Sequence, residues 1–103
     1  MTNLAAIEEI LYNILLHRNR LGVERQEEIY LAIRDAINAR FGRRLRLCQY
    51  RAIRYRTMRQ HTQLLRELRG LPRRHGPAQA AAFFAHLGDV LPRWVQEAYP
   101  GSK

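Results

Sequence analysis

Arg44, Arg51, Arg59, Arg66 and Arg69 recur at spacings that a helix would gather on one side, with Tyr55 and Thr62 among them and Arg54 at the boundary. Arg73 and Arg74 follow shortly after. A guanidinium is a flat fork of donors that matches phosphate or carboxylate oxygens and also stacks on aromatic planes. Phosphates attract such a face at long range, and each phosphate it neutralises releases counterions. Tyr50 and Tyr55 add rings on which bases can stack. The chemistry implied is the binding of an extended anion, either a nucleic acid or an acidic protein surface. The candidate nucleic-acid-binding residues are therefore Arg44, Arg51, Arg54, Tyr55, Arg59, Arg66, Arg69, Arg73 and Arg74.

The charge is local. The chain of 103 residues carries a net +9, yet residues 40–74 hold twelve Arg against Glu67 alone, while residues 1–39 are net negative and residues 75–103 are neutral. A solvated helix face is the ordinary explanation of a charge run, but one acid cannot neutralise twelve Arg within a helix. Seventeen of the eighteen basic residues are Arg. A GC-rich coding bias would explain the choice of Arg over Lys, but not the clustering. A structural role also stays open. Glu24, Glu27, Glu28 and Asp35 form an acidic edge that could face the basic helix of a second copy in a dimer.

Other chemistries find little support. The four histidines, His17, His61, His75 and His86, lack ligand spacing, and Cys48 is the single cysteine, so neither a zinc site nor an internal disulfide is expected. The only serine is Ser102, and Cys48 has no catalytic neighbours in sequence. The acids sit where a helix dipole accounts for them, and no Gly-rich phosphate loop is present. No catalytic residue, metal or cofactor is expected. No apolar run approaches the roughly 18–20 residues of a membrane span. Glu8 and Glu9 fall where a signal peptide would be apolar. An intracellular setting is expected, cytoplasmic or nuclear, with no membrane partner.

The elements that must position the arginines are helical. Leu4, Ile7, Leu11 and Ile14 predict a helix over 3–18 with Asn3 as its N-cap. Asn19 to Val23 reads as a turn. Ile29, Ile33 and Ile37 predict a second helix over 24–41, stopped by Gly42. Tyr50, Ile53, Thr57, His61, Leu64, Leu68 and Leu71 form a heptad-like seam and predict a long third helix over 44–70. Leu71 to Gly76 reads as a loop, and Pro77 opens a fourth helix. That helix is expected to stop near Leu87, with Asp89 capping another across Pro92. Gly42 is also compatible with the turn of a helix-turn-helix, although a third helix of this length is long for a recognition helix.

The expected architecture is all-α: one domain over 1–103, a compact bundle of four to five helices around a long basic central helix. A homodimer through the seam or the first helix is expected from the generous apolar stripes.

Overall fold

The computed structural model describes residues 3–16, 22–91, 93 and 95, and these form an all-helical fold. Four helices follow in chain order: α1 (Leu4–Leu16), α2 (Val23–Phe41), α3 (Ile53–His75) and α4 (Pro77–Val90). The Cα radius of gyration is 13.0 Å, the size of a compact globule of about 100 residues.

Local chemistry explains most of the boundaries. The Asn3 carboxamide oxygen accepts the Ala6 N–H at 2.9 Å, satisfying an end of α1 that its own backbone cannot. α2 ends where Gly42 turns left-handed at φ 62. A side chain there would have open space but a strained backbone. Pro77 occupies the first turn of α4, where its missing N–H is harmless.

The apolar stripes converge on one core. Ile7, Ile10, Leu11 and Ile14 of α1 meet Ile29, Tyr30, Ile33 and Ile37 of α2, Leu64, Leu68 and Leu71 of α3, and Phe83, Phe84 and Leu87 of α4. α3 packs against each of the other three helices. Its amphipathic pattern holds from Thr57 to Leu71, where Leu64, Leu68 and Leu71 have no exposed surface. The seam is thus consumed by the chain's own core and is not free to join a second copy. Its first two positions, Tyr50 and Ile53, are half exposed and belong to no seam.

Residues 43–52 are not helical, although the third helix is expected from the sequence to start at Arg44. Arg44-Leu45-Arg46-Leu47 alternates with a period of two. Leu47 is buried and Leu45 half-buried, while Arg44 and Arg46 face solvent. Side chains supply the backbone partners a helix would have supplied. Asn38 donates to the Leu45 carbonyl at 3.1 Å and accepts the Leu45 N–H at 2.8 Å. Gln63 accepts the Cys48 N–H at 2.9 Å, and Gln60 donates to the Cys48 carbonyl at 3.1 Å. Eleven residues therefore separate α2 from α3. That is too long for the tight turn of a helix-turn-helix, so the Gly42 reading is overturned.

The loop expected over Leu71 to Gly76 is helix as far as His75, with Pro72 inside it. Leu71 continues the buried stripe, and burying a leucine contributes about 1.5–3 kcal/mol, comparable to the cost of an interior proline. His75 stacks on Phe41 with ring centroids 4.1 Å apart, pinning this last turn to α2. Gly76 alone, at φ 90, reverses the chain into α4. The stop expected at Leu87 is also displaced. α4 runs through Gly88 and Asp89 to Val90, and the extended backbone falls at Leu91, the residue before Pro92. The further helix expected across Pro92 lies largely outside the described residues, as do the turn at 19–21 and the end of the first helix beyond Leu16.

Candidate nucleic-acid interface

Opposite its buried stripe, α3 presents a straight ridge. Tyr55, Arg59, Thr62, Arg66, Arg69 and Arg73 follow one another at spacings of four and three, and all six are exposed. Eighteen helical steps from Tyr55 to Arg73 make this ridge about 27 Å long. Arg54 is exposed beside it, and Arg44 and Arg51 are exposed on the 43–52 segment.

The tertiary structure divides the arginines of residues 40–74 into two groups. Four are ion-paired. Arg69 meets Glu8 of α1 at 3.0 Å, Arg56 meets Glu27 of α2 at 2.7 Å, and Arg43 and Arg74 share the Glu67 carboxylate. The Glu8 carboxylate, accepting hydrogen bonds from Arg69, pushes that guanidinium further toward its charged form. The other eight, Arg40, Arg44, Arg46, Arg51, Arg54, Arg59, Arg66 and Arg73, make no ion pair among the described residues. Arg59 instead lies over the Tyr50 ring, 5.1 Å from its centroid, so one face of that ring is covered by a cation. Tyr55 is 65% exposed and makes no ring contact among the described residues.

Two open clefts flank Tyr55 and Met58. One, of about 480 Å³, is lined by Cys48, Tyr55, Met58, Arg59, Thr62, Gln63 and Arg66. It lies between α3 and the clamped segment. The other, of about 590 Å³, is lined by Leu15, Leu16, Arg54, Tyr55 and Met58, between the end of α1 and the start of α3. Among the described residues no carboxylate lines either cleft. In the first, Thr62 Oγ1 donates to the Met58 carbonyl at 3.0 Å, and the Gln63 carboxamide oxygen is taken by Cys48 N–H. The polar groups left facing the cleft are mainly donors: the guanidinium forks and the Gln63 NH₂.

Of the residues the sequence singled out, Tyr55, Arg59 and Arg66 share the first cleft, and Arg54 joins Tyr55 in the second. Arg73 ends the ridge, while Arg69 and Arg74 are held by Glu8 and Glu67. Arg44 and Arg51 are exposed but line neither cleft. Sequence reasoning missed Met58, Gln63 and Leu16 as lining residues. It also missed Arg46, which the two-residue alternation with Leu45 and Leu47 would have placed on the surface.

Among the described residues no group of three or more His, Cys, Asp or Glu side chains converges as a metal site, and no helix is long and apolar enough to cross a membrane. No protein-family model, curated protein or solved structure matches the chain.

Proposed function

We propose that this chain is a small, non-enzymatic nucleic-acid-binding protein with a regulatory role, and that the basic ridge of α3 contacts phosphates. The observation that carries this reading is the ion-pair pattern. Where the fold has acids within reach it uses them, yet Arg54, Arg59, Arg66 and Arg73 stay exposed along one helix without ion pairs among the described residues. Leaving like charges aligned costs free energy through self-repulsion, and a polyanion offsets that cost.

Electrophoretic shift across a salt series tests it. Four phosphate contacts give a slope of log affinity against log salt of about −3 for a single strand, so binding falls by about fifty-fold between about 50 and about 200 mM salt. Arg59→Glu combined with Arg66→Glu abolishes the shift. Unchanged binding by that pair would remove the ridge from the account.

A second reading, a protein-interaction module such as an inhibitor or adaptor, has its own observation. The cleft of Leu15, Leu16, Arg54, Tyr55 and Met58 pairs apolar surface with a cation, which suits the apolar face of an acidic amphipathic helix. It predicts no nucleic-acid shift at physiological salt and retention of an acidic peptide. The expected homodimer belongs in either reading to the outer face of α1, where Tyr12 and Leu16 are more than half exposed. Sedimentation as a monomer at micromolar concentration would exclude it.

A further inference from the structure

We infer that the cleft between α3 and the 43–52 segment receives an unstacked base of a single-stranded nucleic acid, with Tyr55 as its platform and Arg59 and Arg66 on the flanking phosphates. This inference rests on the nucleic-acid reading above and narrows it to one substrate class.

In a double helix the base faces are buried in the stack, and only edges, sugars and phosphates meet a protein. A phosphate-binding ridge needs cations alone. Yet among the described residues the most exposed large apolar residue is Tyr55, at 65%, with Met58 beside it at 45%. Both line the same cleft as Arg59 and Arg66. A free base offers the flat face that a tyrosine ring and a thioether can cover, and stacking of this kind tolerates any base. The ring is also available: Tyr50 already carries Arg59 on one face, whereas Tyr55 has no ring partner among the described residues.

The polar lining agrees. Arg59 and Arg66 stand seven residues apart, two turns or about 10 Å along the helix. They rim the cleft, and among the described residues no carboxylate lines it. The Gln63 carboxamide is oriented by the Cys48 N–H at 2.9 Å, so its donors remain for the edge of a base. Charge complementarity therefore selects an anion, and the apolar floor selects one that can expose a planar ring. Among the described residues the arrangement of a helix-turn-helix is not found: α2 and α3 are not joined by a tight turn, and α4, which follows α3 after Gly76 alone, contains neither Arg nor Lys to serve as a recognition helix.

The test is fluorescence anisotropy of the full chain with a labelled thymidine oligonucleotide of about a dozen nucleotides, and with a hairpin duplex of equal charge, at matched salt. The single strand is expected to bind at least about tenfold more tightly. Tyr55→Ala is expected to lose about tenfold or more for the single strand without changing the salt slope, because no charge is removed, and Tyr55→Phe to stay within about twofold. Tyr55 is exposed, so both variants are expected to keep the parent far-UV circular dichroism. Equal affinity for the duplex, or unchanged binding by Tyr55→Ala, would overturn this inference while leaving the nucleic-acid reading in place. Binding of polyglutamate with no binding of either oligonucleotide would overturn both.

Discussion

The Arg69 guanidinium of α3 closes on the Glu8 carboxylate of α1 through two hydrogen bonds, of 3.0 and 3.3 Å, across 61 residues of sequence. An arginine that belongs by spacing to the exposed ridge of α3 is thereby ion-paired. Glu8→Gln removes that restraint and returns Arg69 to the ridge. The variant is expected to bind a polyanion severalfold more tightly and with a steeper salt slope, by about 0.7 for one added single-strand contact. Its melting temperature should change little, since exposed ion pairs contribute little to stability. Affinity equal to that of the parent protein would mean that Arg69 lies outside the contact surface.

Asn38 holds Leu45 by both backbone groups, in the way one strand holds another. Asn38→Ala removes two hydrogen bonds, each contributing about 1 kcal/mol net, and is expected to cost about 1–2 kcal/mol in urea unfolding. Amide exchange should speed up at Leu45 and spread toward Cys48, because this segment has no helical bonds to fall back on. Unchanged exchange at Leu45 would contradict the clamp.

Leu68 has no exposed surface and sits where α3 meets the core. Leu68→Ala is expected to lower stability by about 2–5 kcal/mol, a large share of what so small a domain possesses. Its sedimentation at low temperature should match the parent, because the seam is not a subunit interface. A change in oligomeric state without loss of stability would point the other way.

His61 is buried beside the edge of Tyr30, with ring centroids 6.5 Å apart. Burial lowers its pKa below 6.5, and the Arg69 charge lowers it further. The unfolded chain therefore binds a proton more readily than the folded one. The contribution of neutral His61 is fully present above about pH 6.5 and is lost as pH falls from there toward the folded-state value. The slope can reach about 1.4 kcal/mol per pH unit for one proton. Thermal melts between about pH 5 and 7.5 are expected to show stability falling on acidification, and less steeply in His61→Gln. Equal slopes in the two proteins would remove His61 as the source.

Helices are legible in the sequence where an apolar period coincides with burial in the chain's own core. Ile29, Ile33 and Ile37 announce α2, and Leu64, Leu68 and Leu71 announce the buried face of α3. The 43–52 segment was not legible as an irregular one, because arginine and leucine are good helix formers and the decision lies with Asn38, Gln60 and Gln63. Pro72 and Gly88 look like breaks when each is weighed alone, and packing of Leu71 and Leu87 carries the helices past them. Which arginines lie exposed on α3 was partly legible. Which of them are neutralised was not, since Glu8 and Glu27 come from helices far away in the chain and their pairing exists only once the bundle has closed.

The most direct test of the basic ridge is the salt dependence of single-strand binding by the parent protein beside that of Arg59→Gln with Arg66→Gln. The account predicts a slope near −3 that becomes shallower by about 1.4 when both charges are removed, with affinity falling in step. A slope unchanged by the double substitution, or no binding by the parent even at low salt, would contradict it.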